Sequence, residues 1–266
     1  MKQLAKPTKT SCFLFPRMKL HCPFVTNHNI WKRNKLLNDS LYMYRRRYYF
    51  LQASTSGKVR QHVNPLTPYF QKPITIHRGW NKQVYRDATK PLLIDLGSGK
   101  GWFCLRYAEA HPDWNVLGLE IREVLVQRAL NWVQQRQLTN LHYLFCNINV
   151  SLERILENTV DCKVLRVAIQ FPDPHFKRRH QKRRLVTDEL VQTLYKYLPS
   201  EGQVFVQTDV EQVYYAAIEK FQNNNFLMLP CDSRPWTNIP TEREICCENK
   251  ARTIYRAIFC KKSNAA

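Results

Sequence analysis

Asp173 stands between two prolines, Pro172 and Pro174, and is followed at once by HFKRRHQKRR (175–184), six cations in ten positions. The prolines fix φ on both sides of the acid and restrict the residues preceding them, so its carboxylate is carried on a stiff loop. That loop closes an apolar, strand-like run, VLRVAIQF (164–171), and the carboxyl ends of strands are where α/β sheets place their ligand sites. A rigid acid beside a dense cationic strip suits a polyanion that is gripped along its length and chemically read at one spot. Nucleic acid meets that description better than a metabolite does. Taken alone, Asp-Pro is an ordinary turn and the cationic run is a solvated helix face or a localisation signal. Placed beside a cofactor site, the run is suited to holding RNA phosphates.

A cofactor site is legible upstream. Asp95-Leu96-Gly97-Ser98-Gly99-Lys100-Gly101 joins a short apolar strand to a helix. Gly97, Gly99 and Gly101 let the backbone approach a ligand closely, and the helix N-terminus adds positive potential. Glu120 ends the next strand, 21 residues after Gly99, where an acid accepts both hydroxyls of a ribose. A dinucleotide fingerprint requires a small residue where this chain has Trp102, so the pattern favours S-adenosyl-L-methionine (SAM) over a nicotinamide cofactor. Asn147, after the third strand, has the groups to bond an adenine edge, or to fill an ordinary turn role. Asp209 at the end of the fifth strand, and Thr241-Glu242-Arg243-Glu244 in a loop before the last one, read by themselves as helix caps or surface charges.

These residues are spaced by a regular alternation of elements. Strands are expected at 92–96, 115–121, 141–146, 164–171, 203–208, 225–229 and 253–260. Helices follow the glycine turn as far as His111-Pro112-Asp113, and lie at 122–136, about 151–158, 183–198 and 210–222. Such alternation implies a doubly wound, mostly parallel α/β sheet, and the last two strands, with no helix between them, form an antiparallel pair at one edge. The expected organisation is a basic arm or targeting segment over 1–57, an extended lead-in over 58–90 with several prolines, and the main domain over 91–262.

The charge is lopsided. Residues 1–86 hold 17 Lys or Arg and one acid, Asp39, and so contribute +16 of the formal +20. A basic excess of this size concentrates phosphate polyanions and makes their binding salt-dependent. A hydrophobic fraction of 44% fits a globular chain, and no apolar run reaches the roughly 18 residues of a membrane span. Nine scattered cysteines without a C-x-x-C pair read as free thiols, and no His/Cys spacing matches a zinc site. The acid-poor, Arg-rich leader reads equally as an organelle targeting segment or as an arm that holds RNA.

Four segments together resemble the TrmB-type tRNA (guanine-N7)-methyltransferases: DLGSGKG with GLEI behind it, FPDPHFKRRHQKRR, QTDVEQVY, and TEREI followed by TIYRA. The resemblance runs from about Leu92 to Lys261, and the lead-in VRQHVNPLTPYFQ is similar to that of cyanobacterial and plastid members. It implies a Rossmann-like class I SAM-dependent methyltransferase fold with a seven-stranded sheet. It implies methyl transfer from SAM to N7 of guanosine at tRNA position 46, with tRNA as partner; no membrane association and no obligate protein partner are expected. By resemblance Asp173 is the catalytic acid, and Asp95, Glu120, Asn147 and Asp173 contact SAM or frame the reaction. Lys177, Asp209, Thr241, Glu242, Arg243 and Glu244 hold the target nucleotide; Arg179, Lys182, Arg183 and Arg184 contact tRNA. The chain departs from the family pattern at His175-Phe176, where a tryptophan-containing pair is common, and at Arg243, where many members carry an aromatic. A plastid location is the expectation, with the cytoplasm as the alternative. Two rival readings remain: a non-catalytic RNA-binding protein on this scaffold, and an enzyme of the same fold acting on another RNA or on protein.

Overall fold

The computed structural model describes residues 59, 62–229, 231 and 233–262; the expected basic arm over 1–57 lies outside them. Seven strands form one sheet: β1 (Leu92–Leu96), β2 (Asn115–Glu120), β3 (Leu141–Phe145), β4 (Val164–Gln170), β5 (Gln203–Thr208), β6 (Phe226–Leu229) and β7 (Tyr255–Lys261), in the order β3-β2-β1-β4-β5-β7-β6. The first five pair in parallel, and β7 runs antiparallel to both β5 and β6. The expected antiparallel pair is therefore present, with the last strand inserted inside and β6 left at the edge.

Every residue of β1 and β2 is buried, as strands covered on both faces must be. Two apolar clusters fill the two sides of the sheet. One gathers Ile94, Leu117, Val167, Val206 and Phe259; the other packs Leu93, Tyr107, Val116 and Tyr143 beneath the helices that follow β1 and β2. The strand order reverses between β1 and β4, and a crevice opens there at the carboxyl ends. Register brings the site residues to that rim: Asp95 faces Gly118 on one side and Ala168 on the other, and Gln170 faces Gln207.

The helices are α1 (Asn81–Val84), α2 (Trp102–Ala110), α3 (Glu123–Gln135), α4 (Ile148–Glu157), α5 (Asp188–Tyr197), α6 (Glu211–Asn223) and α7 (Glu242–Glu248), with 3-10 turns at Pro68–Gln71 and Arg178–Arg183. Three expectations are corrected. The helix expected from residue 183 begins at Asp188, because Thr187 caps it by accepting from the Leu190 amide, and Asp188 and Glu189 occupy its first turn. An earlier start would have placed Lys182, Arg183 and Arg184 at the positive end of the dipole. Residues 242–244 are helical rather than loop: Thr241 and Glu244 form a capping box. The lead-in is interrupted by the Pro68–Gln71 turn and by α1.

Candidate active site

The turn between β1 and α2 has Gly97, Gly99 and Gly101 at φ of 93°, 58° and 86°, in the left-handed region that side chains avoid. A Cβ added at Gly101 would come within 3.0 Å of the Tyr143 ring, whereas one added at Gly97 would meet nothing within 4 Å. Gly101 is thus closed by packing, and Gly97 opens its backbone to the crevice. Two amides of the turn, on Gly97 and Ser98, donate to the Leu119 carbonyl at 2.9 Å, which ties the turn to β2.

Glu120 closes β2 at 2% exposure. Its Oε2 accepts from the Gly99 amide at 2.8 Å and from Arg122 Nη2 at 3.0 Å; its Oε1 accepts from Arg122 N at 2.9 Å and from Nε at 2.8 Å. Turn and acid are thereby one unit, with a guanidinium compensating the buried charge. Asp95, also buried, accepts from Cys104 Sγ at 3.4 Å and from Gln170 Nε2 at 3.3 Å. Burial outweighs those bonds and pushes its carboxyl up to about 6.

Across the crevice, the loop of Pro172-Asp173-Pro174 is bracketed by two non-glycine residues in the left-handed region, Phe171 at φ 49° and His175 at φ 45°. Such backbone strain collects at functional sites where the surroundings over-determine it. Here the Phe171 amide donates to the Gln207 carbonyl at 2.7 Å, and Arg184 Nε donates to the Pro174 carbonyl at 3.0 Å. The Asp173 side chain remains 44% exposed, with Oδ2 2.9 Å from His62 Nδ1. Asp173 lines an open cleft of about 650 Å³ together with Asp95, Gly97, Gly99 and Phe176. It also lines a smaller chamber of about 160 Å³ with Glu120, Ile121 and Asn147. Gly97 and Arg122 face both spaces.

The far wall of the cleft is built on α7. Asp209 Oδ2 lies 2.5 Å from Arg243 Nη2 and 3.4 Å from Arg252 Nη1. Burial alone would raise the Asp209 carboxyl, but the Arg243 hydrogen bond and charge outweigh it and hold it low. Thr241, Glu242 and Arg243 line the cleft, and Glu242 bridges to Lys100 of the glycine turn at 3.0 Å.

Glu244 does not join them. It is fully buried, accepts from Arg234 Nε at 2.9 Å and Arg256 Nη2 at 2.8 Å, and caps α7 from beneath. Asn147 lines the smaller chamber and is also held by the backbone around it. Its Oδ1 accepts from the Asn149 amide at the start of α4, and its Nδ2 donates to the Pro65 and Phe70 carbonyls at 3.1 Å each. Both its amide hydrogens fasten the lead-in over the smaller chamber. Of the cationic strip, Lys177, Arg179 and Lys182 are exposed while Arg183 and Arg184 are half-buried.

A family model described as a putative methyltransferase matches residues 89–257. A tRNA (guanine-N(7)-)-methyltransferase of Synechococcus elongatus is 47% identical over 211 residues, which cover 77% of this chain and 97% of that one. The chain belongs to the tRNA (guanine-N7)-methyltransferase family. The relative of the same name from Synechocystis is 42% identical over 76% of this chain and 96% of its own length. Among solved structures, the aminoglycoside resistance methyltransferase NpmB1 matches at TM-score 0.46 and 14% identity, over 67% of this chain and 89% of that one. The chain has the Rossmann-like class I methyltransferase fold, read from its strand order, and the cofactor of the family is SAM. Open space against the Gly97 backbone and a partly apolar chamber beside it fit that cofactor, and Glu120 at the end of β2 lines the same chamber, where it would meet a ribose on exchanging part of its Arg122 fork.

Several residues of this site carried no sequence signal strong enough to be singled out: His62, Lys100, Arg122, Gln170, Gln207 and Arg256. Gln170 and Gln207 did leave a trace, as lone amides near the ends of otherwise apolar strands. Gln207 Nε2 donates to Gln170 Oε1 at 2.9 Å and to Glu244 Oε2 at 3.4 Å. With the Gln170 bond to Asp95, these amides form a partly buried polar floor from the glycine turn to α7.

Proposed function

We propose that the protein methylates N7 of guanosine at position 46 in the variable loop of tRNA, with SAM as donor, forming 7-methylguanosine. The observation that carries this reading is that Asp173 and the glycine turn line one cleft, which adjoins the chamber lined by Glu120. The position within tRNA rests on the resemblance of FPDPHFKRRHQKRR and TEREI to the family, and the tRNA class on the names of the cyanobacterial relatives.

The chemistry asks for alignment more than for proton transfer. N7 of guanine has an in-plane lone pair on the major-groove edge, and no proton leaves when it is methylated. Bound SAM supplies an electrophilic methyl group on a sulfonium. Glu120 and the Gly97 backbone hold the donor, Asp173 orients the base and stabilises the positive charge that the purine acquires, and the cleft walls limit water. The base must leave its tRNA contacts to reach this depth. Exposed Arg178, Arg179 and Lys182, beside the same loop, bind backbone phosphates, and Lys177 reaches the target nucleotide.

The test is methylation of tRNA transcripts that carry or lack the variable-loop guanosine, with 7-methylguanosine mapped in the product. Modification confined to the transcript with the guanosine is expected; equal modification of both would move the target elsewhere. The rival reading, a binder without catalysis, predicts no heat on titration with SAM. We further infer that the single chain acts without a protein partner, and that the protein works in the plastid. The plastid reading rests on the basic leader and on the similarity to cyanobacterial enzymes. A fluorescent fusion to residues 1–57 that stays in the cytoplasm would remove the support given by the leader.

A further inference from the structure

Asp173 has a stiff backbone and an exposed side chain. The loop around it is tied down by Phe171 and Arg184, yet the carboxylate projects into the cleft at 44% exposure. Among the described residues, the group within ion-pair distance of it is His62, with Nδ1 2.9 Å from Oδ2. His62 belongs to the lead-in, far from Asp173 in sequence, and lines the same cleft.

The position of His62 is itself built. Asn147 spends both amide hydrogens on the Pro65 and Phe70 carbonyls. Asn64 turns the chain by accepting from the Leu66 amide through Oδ1 at 3.3 Å and from the Thr67 amide through its carbonyl. Farther along, the Ile74 amide donates to Ser151 Oγ at 3.1 Å. Phe70 packs edge-on to Phe145 at the end of β3, with ring centroids 6.4 Å apart. The lead-in is thus fastened to β3 and α4, and the same run puts Val63 and Pro65 against the smaller chamber and His62 against Asp173.

We propose that His62 is a positioning residue for methyl transfer: Nδ1, within ion-pair distance of Oδ2, restrains one side of the Asp173 carboxylate and so narrows the orientations in which it meets the acceptor base. Asn147, expected to face adenine, serves this arrangement as the post that anchors the lead-in. The inference rests on the proposed function, since it assigns His62 a part in that reaction. A carboxylate has lone pairs to spare, so holding Oδ2 leaves Oδ1 and a second lone pair for the base. A loosely held group at a reacting centre loses rate out of proportion to its displacement.

The experiment compares the full-length protein with His62→Phe and His62→Asn in single-turnover methylation at saturating SAM and tRNA, alongside SAM affinity by calorimetry. His62→Phe keeps the ring but has no donor, and is expected to slow the transfer about 100-fold with SAM affinity unchanged. His62→Asn, which returns an N–H near the place of Nδ1, is expected to recover most of the rate. The inference is overturned if His62→Phe reacts at the wild-type rate, if the two variants are equally slow, or if the loss falls on SAM affinity alone. Failure of the underlying reading looks different: the unaltered protein would then leave tRNA unmethylated.

Discussion

Arg256 Nη2 lies 2.8 Å from Glu244 Oε1, and this contact joins β7 to the helix that walls the cleft. Glu244 is wholly buried, and Arg234 Nε reaches the same oxygen at 2.9 Å. A carboxylate in that position holds α7 in place and has no face toward substrate. Removing one partner from a buried ion pair strands the other charges, at a cost of about 3–5 kcal/mol. Glu244→Ala is therefore expected to lower the denaturation midpoint sharply, and Glu244→Gln, which retains part of the cap, to lower it less. Urea unfolding checks this. A variant as stable as the parent, but with a raised KM for tRNA, would return Glu244 to substrate binding.

Asp95 makes stability depend on pH in an unusual direction. Its carboxyl titrates near 3.8 in the unfolded chain and about 6 in the folded one, chiefly through burial. The folded state therefore holds this proton more tightly, and stability falls as pH rises from about 4 through 6, then levels. The span corresponds to about 3 kcal/mol at 1.36 kcal/mol per unit. Asp95→Asn removes the titration, so the variant should gain on the parent between pH 4 and 7. Unfolding of both proteins at pH 4.5 and 7.5 measures the gain, and a constant difference between them would refute it.

Much of the sheet was legible because its strands are short apolar runs cut off by glycine, proline or acid, and local sequence dictates those boundaries. The glycine turn and the proline-framed Asp173 were legible for the same reason. Apolar spacing alone extends the α5 pattern back to residue 183, whereas Thr187 and the two acids after it set the boundary. TERE at 241–244 has the capping-box spacing, although its run of charges has the composition of a surface loop. What sequence cannot carry is pairing between distant polar groups. Nothing local tells that Asn147 serves the lead-in, that Gln170 meets Gln207, or that His62 meets Asp173; each depends on the sheet being assembled first.

The cationic strip divides into two working parts. Arg184 fastens the Pro174 carbonyl and Arg183 lines the smaller chamber, so replacing either disturbs the loop itself. Arg178, Arg179 and Lys182 are exposed and are the better probes of phosphate contact. Their joint replacement by Ala should weaken tRNA binding and reduce the slope of log K against log salt by about 2–3, at roughly 0.7–0.9 per phosphate contact. Filter binding at several salt concentrations provides the slope. An unchanged value would make the strip a solvated face.

Donor binding and catalysis should separate cleanly between two acids. Glu120 is locked to the glycine turn by the Gly99 amide and compensated by Arg122, so Glu120→Gln removes a charged acceptor from the donor site. Hydrogen bonds to charged groups contribute about 1.5–3 kcal/mol, which corresponds to roughly 10- to 100-fold in SAM affinity. Asp173 touches neither the turn nor Glu120 by hydrogen bond, although it lines both the cleft and the smaller chamber. Asp173→Ala should leave SAM affinity within about threefold and slow single-turnover methylation by about 100-fold or more, the scale of losing one preorganised electrostatic group. Calorimetry and rapid-quench methylation on the same preparations decide the matter. Normal turnover by Asp173→Ala would take the catalytic role away from the loop, and unchanged SAM affinity in Glu120→Gln would move the donor off the end of β2.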